Sequence, residues 1–190
     1  MSYGADVLSV TFAAGDAGAW AIDRITPIRG ESLAGASHLE VLERQAPTRP
    51  HVWALRGVAS HARYVEAHEK TQLDAVSPPL GRPQATRAAL IPIRKSAAWW
   101  ALPQDERRAI FETRSRHIAA SMPYLPRIAR RLHHGRDLGE PFDFLTWFEL
   151  APEHETAFDQ LLVVLRATEE WTYVEREVDI RVRRVSSALG

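Results

Sequence analysis

The sequence has no cysteine among its 190 residues. That absence excludes a disulfide framework, a thiolate zinc site, a Cys-ligated iron–sulfur cluster and a cysteine nucleophile. Any metal must therefore be held by His, by carboxylates or inside a cofactor. An excess of charge of either sign is lacking too, since 24 Lys plus Arg balance 24 Asp plus Glu and the pI is near 7.1. No general field draws nucleic acid or an anionic membrane, so neither is an expected partner, although a local Arg cluster can still bind a small anion. No apolar run approaches the roughly 18 residues of a membrane helix, and the opening MSYGADVLSVTFAAGDAGAW lacks a basic region leading into an apolar segment. A soluble, cytoplasmic chain is the expectation. The glycines form no phosphate-binding fingerprint, and Glu149, Glu153 and Glu155 fit neither HExxH nor a calcium loop, which argues against nucleotide chemistry and a carboxylate metal site.

What is present is a chain 45% hydrophobic, enough for one substantial core or two small linked lobes. Strand-like stretches run from Asp6 to Ala13, His38 to Glu43 and His51 to Val58, with an irregular reading from Pro27 to Pro50. A helix is predicted from Ser60 to about Ala75, before SPPLGRP at Ser77 to Pro83 breaks the chain. That break divides the sequence into an N-terminal lobe, 1–82, and a C-terminal one, 83–190.

The second lobe predicts a strand at Thr86 to Lys95, with Pro92 arguing for an edge or a bulge. A helix follows over Pro103 to Ser121, then strands at Arg127 to His134 and Phe142 to Leu150. A second helix, Glu153 to Thr168, and a long strand, Trp171 to Val185, complete the order β-α-β-β-α-β of a ferredoxin-like unit. Both helices of such a unit cover one face of its sheet, so a second sheet, supplied by a partial N-terminal copy, or a ligand is expected on the other.

Several residues admit two readings. Strand alternation puts Arg130 on one face with Ile128 and Leu132, either as an edge arginine reaching solvent or as a guanidinium offered to a small anion in an apolar pocket. On a regular helix His117 lies almost in line with Ile110, which makes it either a core histidine or a ligand, and haem iron needs only one protein ligand. Glu170 is either a solvated helix-end carboxylate or the group that orients His117 from its second nitrogen. Lys95, Trp99 and Trp100 divide between boundary packing and a cofactor rim. His133 and His134 point to opposite strand faces, which weakens joint chelation.

The same residues carry a resemblance. PIRKSAAWW at Pro92 to Trp100, RSRHIA at Arg114 to Ala119, YLPRIARRLHHGRDLGEPFDFLTWFE at Tyr124 to Glu149, and TAF and ATEEW at Thr156 to Phe158 and Ala167 to Trp171 resemble the chlorite dismutase family. Within it the chain looks like the short, dimeric branch. The resemblance implies an α+β fold of the ferredoxin-like, dimeric α/β barrel superfamily with a truncated N-terminal lobe. It also implies haem b as cofactor and a homodimer that converts chlorite to chloride and dioxygen. His117 matches the proximal iron ligand, Glu170 the carboxylate bonded to it and Arg130 the distal arginine. Lys95 and Trp99 match residues near the haem propionates, and Trp100 the tryptophan that follows them. Gln72 is the candidate for a distal glutamine. Coproheme decarboxylase, from the same superfamily, and a haem-binding sensor or peroxidase-like protein are the alternatives.

Overall fold

The computed structural model describes residues 7–59 and 65–186. Its strands are β1 (Leu8–Gly15), β2 (Trp20–Arg29), β3 (His38–Glu43), β4 (Trp53–Ala59), β5 (Arg87–Lys95), β6 (Ile128–His134), β7 (Phe144–Leu150) and β8 (Val174–Arg184). They close into a barrel in the order β1-β3-β2-β8-β5-β7-β6-β4, antiparallel throughout. Closure leaves no edge to protect. Each half repeats one spatial order, β4-β1-β3-β2 and β8-β5-β7-β6. In the second half the crossovers carry helices: α2 (Ala97–Ala101), α3 (Gln104–Arg108) and α4 (His117–Ser121) between β5 and β6, and α5 (Glu155–Arg166) between β7 and β8. In the first half those crossovers shrink to residues 16–19 and 44–52, and a separate helix, α1 (Ala67–Val76), follows β4. Among the described residues no helix is long and apolar enough to cross a membrane.

Strand alternation sorts the core into two layers. Val10, Phe12, Leu39, Leu55, Leu90, Trp147 and Ile180 fill the barrel interior. The opposite face of β5, β6 and β7 presents Ile91, Ile93, Ile128 and Phe148 to α5, which buries Phe158, Leu161, Leu162 and Leu165 there. Each such side chain contributes about 1.5–3 kcal/mol relative to exposure. The first-half strands thus cover the sheet face that the helices leave bare, while the helices' own face keeps room for a ligand. Where the segment at Ser77 to Pro83 returns to the barrel, the Glu149 carboxylate accepts the Gly81 N–H at 2.6 Å and the Trp147 indole N–H at 3.0 Å.

Several expectations are corrected. β2 occupies a stretch read as irregular beyond Pro27: most of its residues are exposed, so it lacks an alternating pattern, and its pairing with β8 shapes it through two register shifts. Pro92 lies on no edge, because β5 runs between β7 and β8; the ladder passes from Leu90↔Ile180 to Ile93↔Glu177, leaving the imide nitrogen in a gap. The single helix expected over Pro103 to Ser121 is broken. After α3 the chain makes a π-helical turn, Ala109–Arg114, and Arg116 takes a left-handed conformation (φ 51°) before α4 begins. His117 is therefore not in regular register with Ile110. Of the helix read from Ser60, residues 60–64 lie outside the described residues and the rest starts at Ala67.

His133 and His134 do point apart, against Phe12 and Phe144 respectively. Inside the barrel His133 Nδ1–H donates to the Leu145 carbonyl at 2.9 Å and Nε2 accepts from Arg131 Nε at 3.0 Å, which satisfies the neutral ring. Gly57 lies so close that a Cβ there would meet the His133 Cβ at 2.6 Å. Burial pushes the imidazole down to about 4, against the opposing pull of its bond to Leu145. The unfolded chain, with an ordinary histidine near 6.5, takes up the proton first as the pH drops. The stability His133 confers is thus complete above about 6.5 and lost as the pH falls from there to about 4, a change of order 3 kcal/mol. Urea midpoints measured across that window should fall more steeply for the wild type than for His133→Asn.

Candidate functional site

The face shared by β5, β6, β7 and the helices opens into one deep cleft. It encloses roughly 1110 Å³, its open mouth included, which is the scale of a large organic ligand. Its walls are mainly apolar: Ile91, Ile93, Leu132 and Phe148 from the sheet, Leu161 and Leu165 from α5, and Leu73 from α1. Five of the six singled-out site residues line it: Lys95, Trp99, His117, Arg130 and Glu170.

His117 is the first residue of α4, delivered to the cleft by the π-helical turn and the left-handed Arg116. Its Nδ1 meets Glu170 Oε2 at 2.7 Å. The ring lies nearly parallel to Phe111 at 4.5 Å and to Trp171 at 6.1 Å, and the Ser121 hydroxyl donates to the His117 carbonyl at 2.7 Å. Position and orientation are thus both held, and Nε2 has no hydrogen-bond partner among the described residues.

Glu170 begins the 3-10 turn Glu170–Tyr173 that leads into β8, and it is buried. The reading of a solvated carboxylate is thereby excluded. Its Oε1 accepts from Lys95 Nζ at 2.8 Å, and its N–H donates to Ser115 Oγ at 2.9 Å. Burial by itself would push this carboxyl up; the charges and hydrogen bonds of His117 and Lys95 outweigh it and bring it down to about 2. Burial also holds the Lys95 ammonium below its ordinary value, with Glu170 pulling the other way. Lys95 lies 4.3 Å from the Trp99 ring centroid and 5.6 Å from that of Trp171. Its ammonium is committed to Glu170 and is not a free rim cation.

Arg130 comes from the opposite wall. As strand alternation predicts, it points with Leu132 into the cleft. Burial holds the Arg130 pKa below its ordinary value with no carboxylate opposing, and the side chain has no ion pair or hydrogen bond among the described residues. Arginine nevertheless keeps its charge. An uncompensated guanidinium in an apolar wall is costly, and the missing counterion is what an anionic ligand supplies.

Two expectations move. Trp100 does not line the cleft: its indole N–H donates to Asp143 at 3.2 Å, and its ring stacks on Phe144 at 6.0 Å under the Arg136 guanidinium. Consecutive helical residues face different directions, so Trp99 turned inward carries Trp100 outward. Gln72 is exposed on α1, and its neighbour Leu73 takes the inward position. The sequence reading missed Phe111 and Ser115, whose roles depend on the π-helical turn. It also missed Asp143, which accepts the Lys95 N–H at 2.7 Å, and Glu177, which holds the Trp171 indole N–H at 2.8 Å. An acidic residue inside an apolar run, FDFL at Asp143, was the one available signal.

Replacing Glu170 by Gln strands the buried Lys95 charge, an expected loss of about 3–5 kcal/mol. The double variant Lys95→Met with Glu170→Gln should recover most of it, and urea denaturation of the three proteins at neutral pH reads the difference.

The chlorite dismutase family model matches residues 37–185. A dimeric chlorite dismutase from Nitrobacter winogradskyi is 66% identical, with a TM-score of 0.87, covering 93% of this chain and 99% of that one. A mutant chlorite dismutase from Candidatus Nitrospira defluvii, solved with cyanide, shares the fold at 21% identity and a TM-score of 0.64, covering 94% and 91% of the two chains. The chlorite dismutase of Ideonella dechloratans is 34% identical over 86 residues, 45% of this chain but 28% of that protein. The chain belongs to the chlorite dismutase family.

Proposed function

We propose that this chain binds haem b through His117 and, as a homodimer, converts chlorite to chloride and dioxygen. The observation that carries the reading is Arg130, a charged side chain without a partner among the described residues, in an apolar cleft that also holds an oriented imidazole. The residues fit haem. His117 offers Nε2 while Glu170 fixes Nδ1, the walls are apolar, and Trp99 adds a large ring surface. Among the described residues no three His, Asp or Glu side chains converge on a metal position, and porphyrin iron, which brings its own equatorial nitrogens, asks the protein for a single imidazole.

Held through His117, haem would supply the redox chemistry for converting chlorite to chloride and O₂. The chain's own groups do the rest. Glu170, ionised between His117 and Lys95, draws on the Nδ1 proton and makes the imidazole a stronger electron donor. Arg130 would pair with the incoming anion and hold negative charge in the cleft until turnover is complete. It stabilises negative charge without exchanging protons, so it does not compete as an acid. The apolar walls exclude water and strengthen that attraction. No outside electron donor is required, because chlorite becomes chloride plus O₂ with atoms and electrons in balance.

The dimeric state of the Nitrobacter relative, similar along nearly its whole length, supports the homodimer. The repeated strand order supports a ferredoxin-like unit in each half, residues 1–82 being the abbreviated copy and 83–190 the haem-binding one.

Oxygen evolution from chlorite by haem-reconstituted protein tests the reading. Near-stoichiometric O₂ is the expected result, and full haem occupancy without O₂ rejects it. Arg130→Ala should keep haem while losing much of the turnover or releasing more hypochlorite, and unchanged turnover and leakage reject its role. His117→Ala should weaken haem retention and change the optical spectrum.

A further inference from the structure

The chain on either side of His117 is held by a residue outside the proposed chemistry. Arg116, exposed and bearing a side chain, sits at φ 51° and ψ 39°, a conformation that disfavours anything but glycine. It persists because Glu112, inside the π-helical turn, grips the segment twice. The Glu112 carbonyl accepts the Arg116 N–H at 2.9 Å. Its carboxylate then reaches past the bend to accept the Ile118 N–H at 2.7 Å and the Ala119 N–H at 3.2 Å. The first amides of a helical segment have no partner within it, so this carboxylate is what satisfies them. The same turn carries Ser115, which accepts the N–H of Glu170, so both members of the His117–Glu170 pair depend on the joint.

We propose that Glu112 is a positioning residue for His117: by binding the amides of Ile118 and Ala119 it holds the left-handed joint and so fixes how the imidazole meets the iron. This rests on the reading of His117 as the iron ligand. The competing role is that of an ordinary capping group, whose loss lowers stability and leaves the imidazole where it was.

Three readouts on haem-reconstituted protein separate the two: the iron–imidazole stretching band of the ferrous form, the rate of haem transfer to excess apomyoglobin, and the urea midpoint. Glu112→Ala should shift or broaden the band and speed haem loss by about tenfold, the scale of a lost capping interaction. Glu112→Gln, whose amide oxygen still takes one N–H, should fall between Ala and wild type, and it decides the question alone if Glu112→Ala does not fold. A lowered urea midpoint with an unmoved band and an unchanged rate overturns the proposal and leaves an ordinary cap. His117→Ala runs in parallel. If it retains the wild-type band, the ligand assignment falls and this inference falls with it. A band lost in His117→Ala but unmoved in both Glu112 variants overturns the positioning role alone.

Discussion

The buried carboxylate of Glu170, shared between Lys95 and His117, is the contact about which the cleft is organised. One oxygen neutralises an ammonium arriving on β5, the other takes the imidazole arriving on α4, and the residue's own N–H is tied to Ser115. Three distant stretches of chain must be correctly placed before any of these groups is satisfied. Buried ion pairs add little net stability compared with apolar packing, because desolvation consumes most of the attraction. What this one provides is orientation: an imidazole held at Nδ1, flanked by Phe111 and Trp171, with Nε2 facing the cleft.

The two polar sides of the cleft are built on opposite principles. Around Glu170 every charge is answered within the protein, and the outer layer continues the pattern, with Glu177 holding Trp171 and Asp143 holding the Lys95 backbone and Trp100. Around Arg130 the described residues supply no answering charge. A satisfied network is rigid and suits a permanent ligand, whereas an unsatisfied cation suits an anion that enters and leaves. The barrel makes this arrangement tolerable. Its first half packs the inner face of β5, β6 and β7, so the outer face can hold a cleft without exposing the core.

Period-2 alternation is a local property, and it was enough to put Arg130 beside Leu132 and to send His133 and His134 to opposite faces. The strands of the second half and α5 were equally legible, because each carries its own apolar pattern. β2 was not, since its exposed surface has no such pattern and its shape comes from β8.

By itself, then, the sequence determined the strands of the second half, the face on which Arg130 stands and, through its motifs, five of the residues that meet in the cleft. Only the tertiary structure decided how they meet. His117 reaches its place through a π-helical turn and a left-handed residue that helical periodicity does not foresee. Lys95 turns to Glu170 instead of to a rim, Trp100 leaves the cleft for Asp143, and Gln72 gives way to Leu73. The physical reason is common to all four. Each side chain is oriented by a partner or a packing surface remote in sequence, and a local pattern carries no information about which remote group will be there.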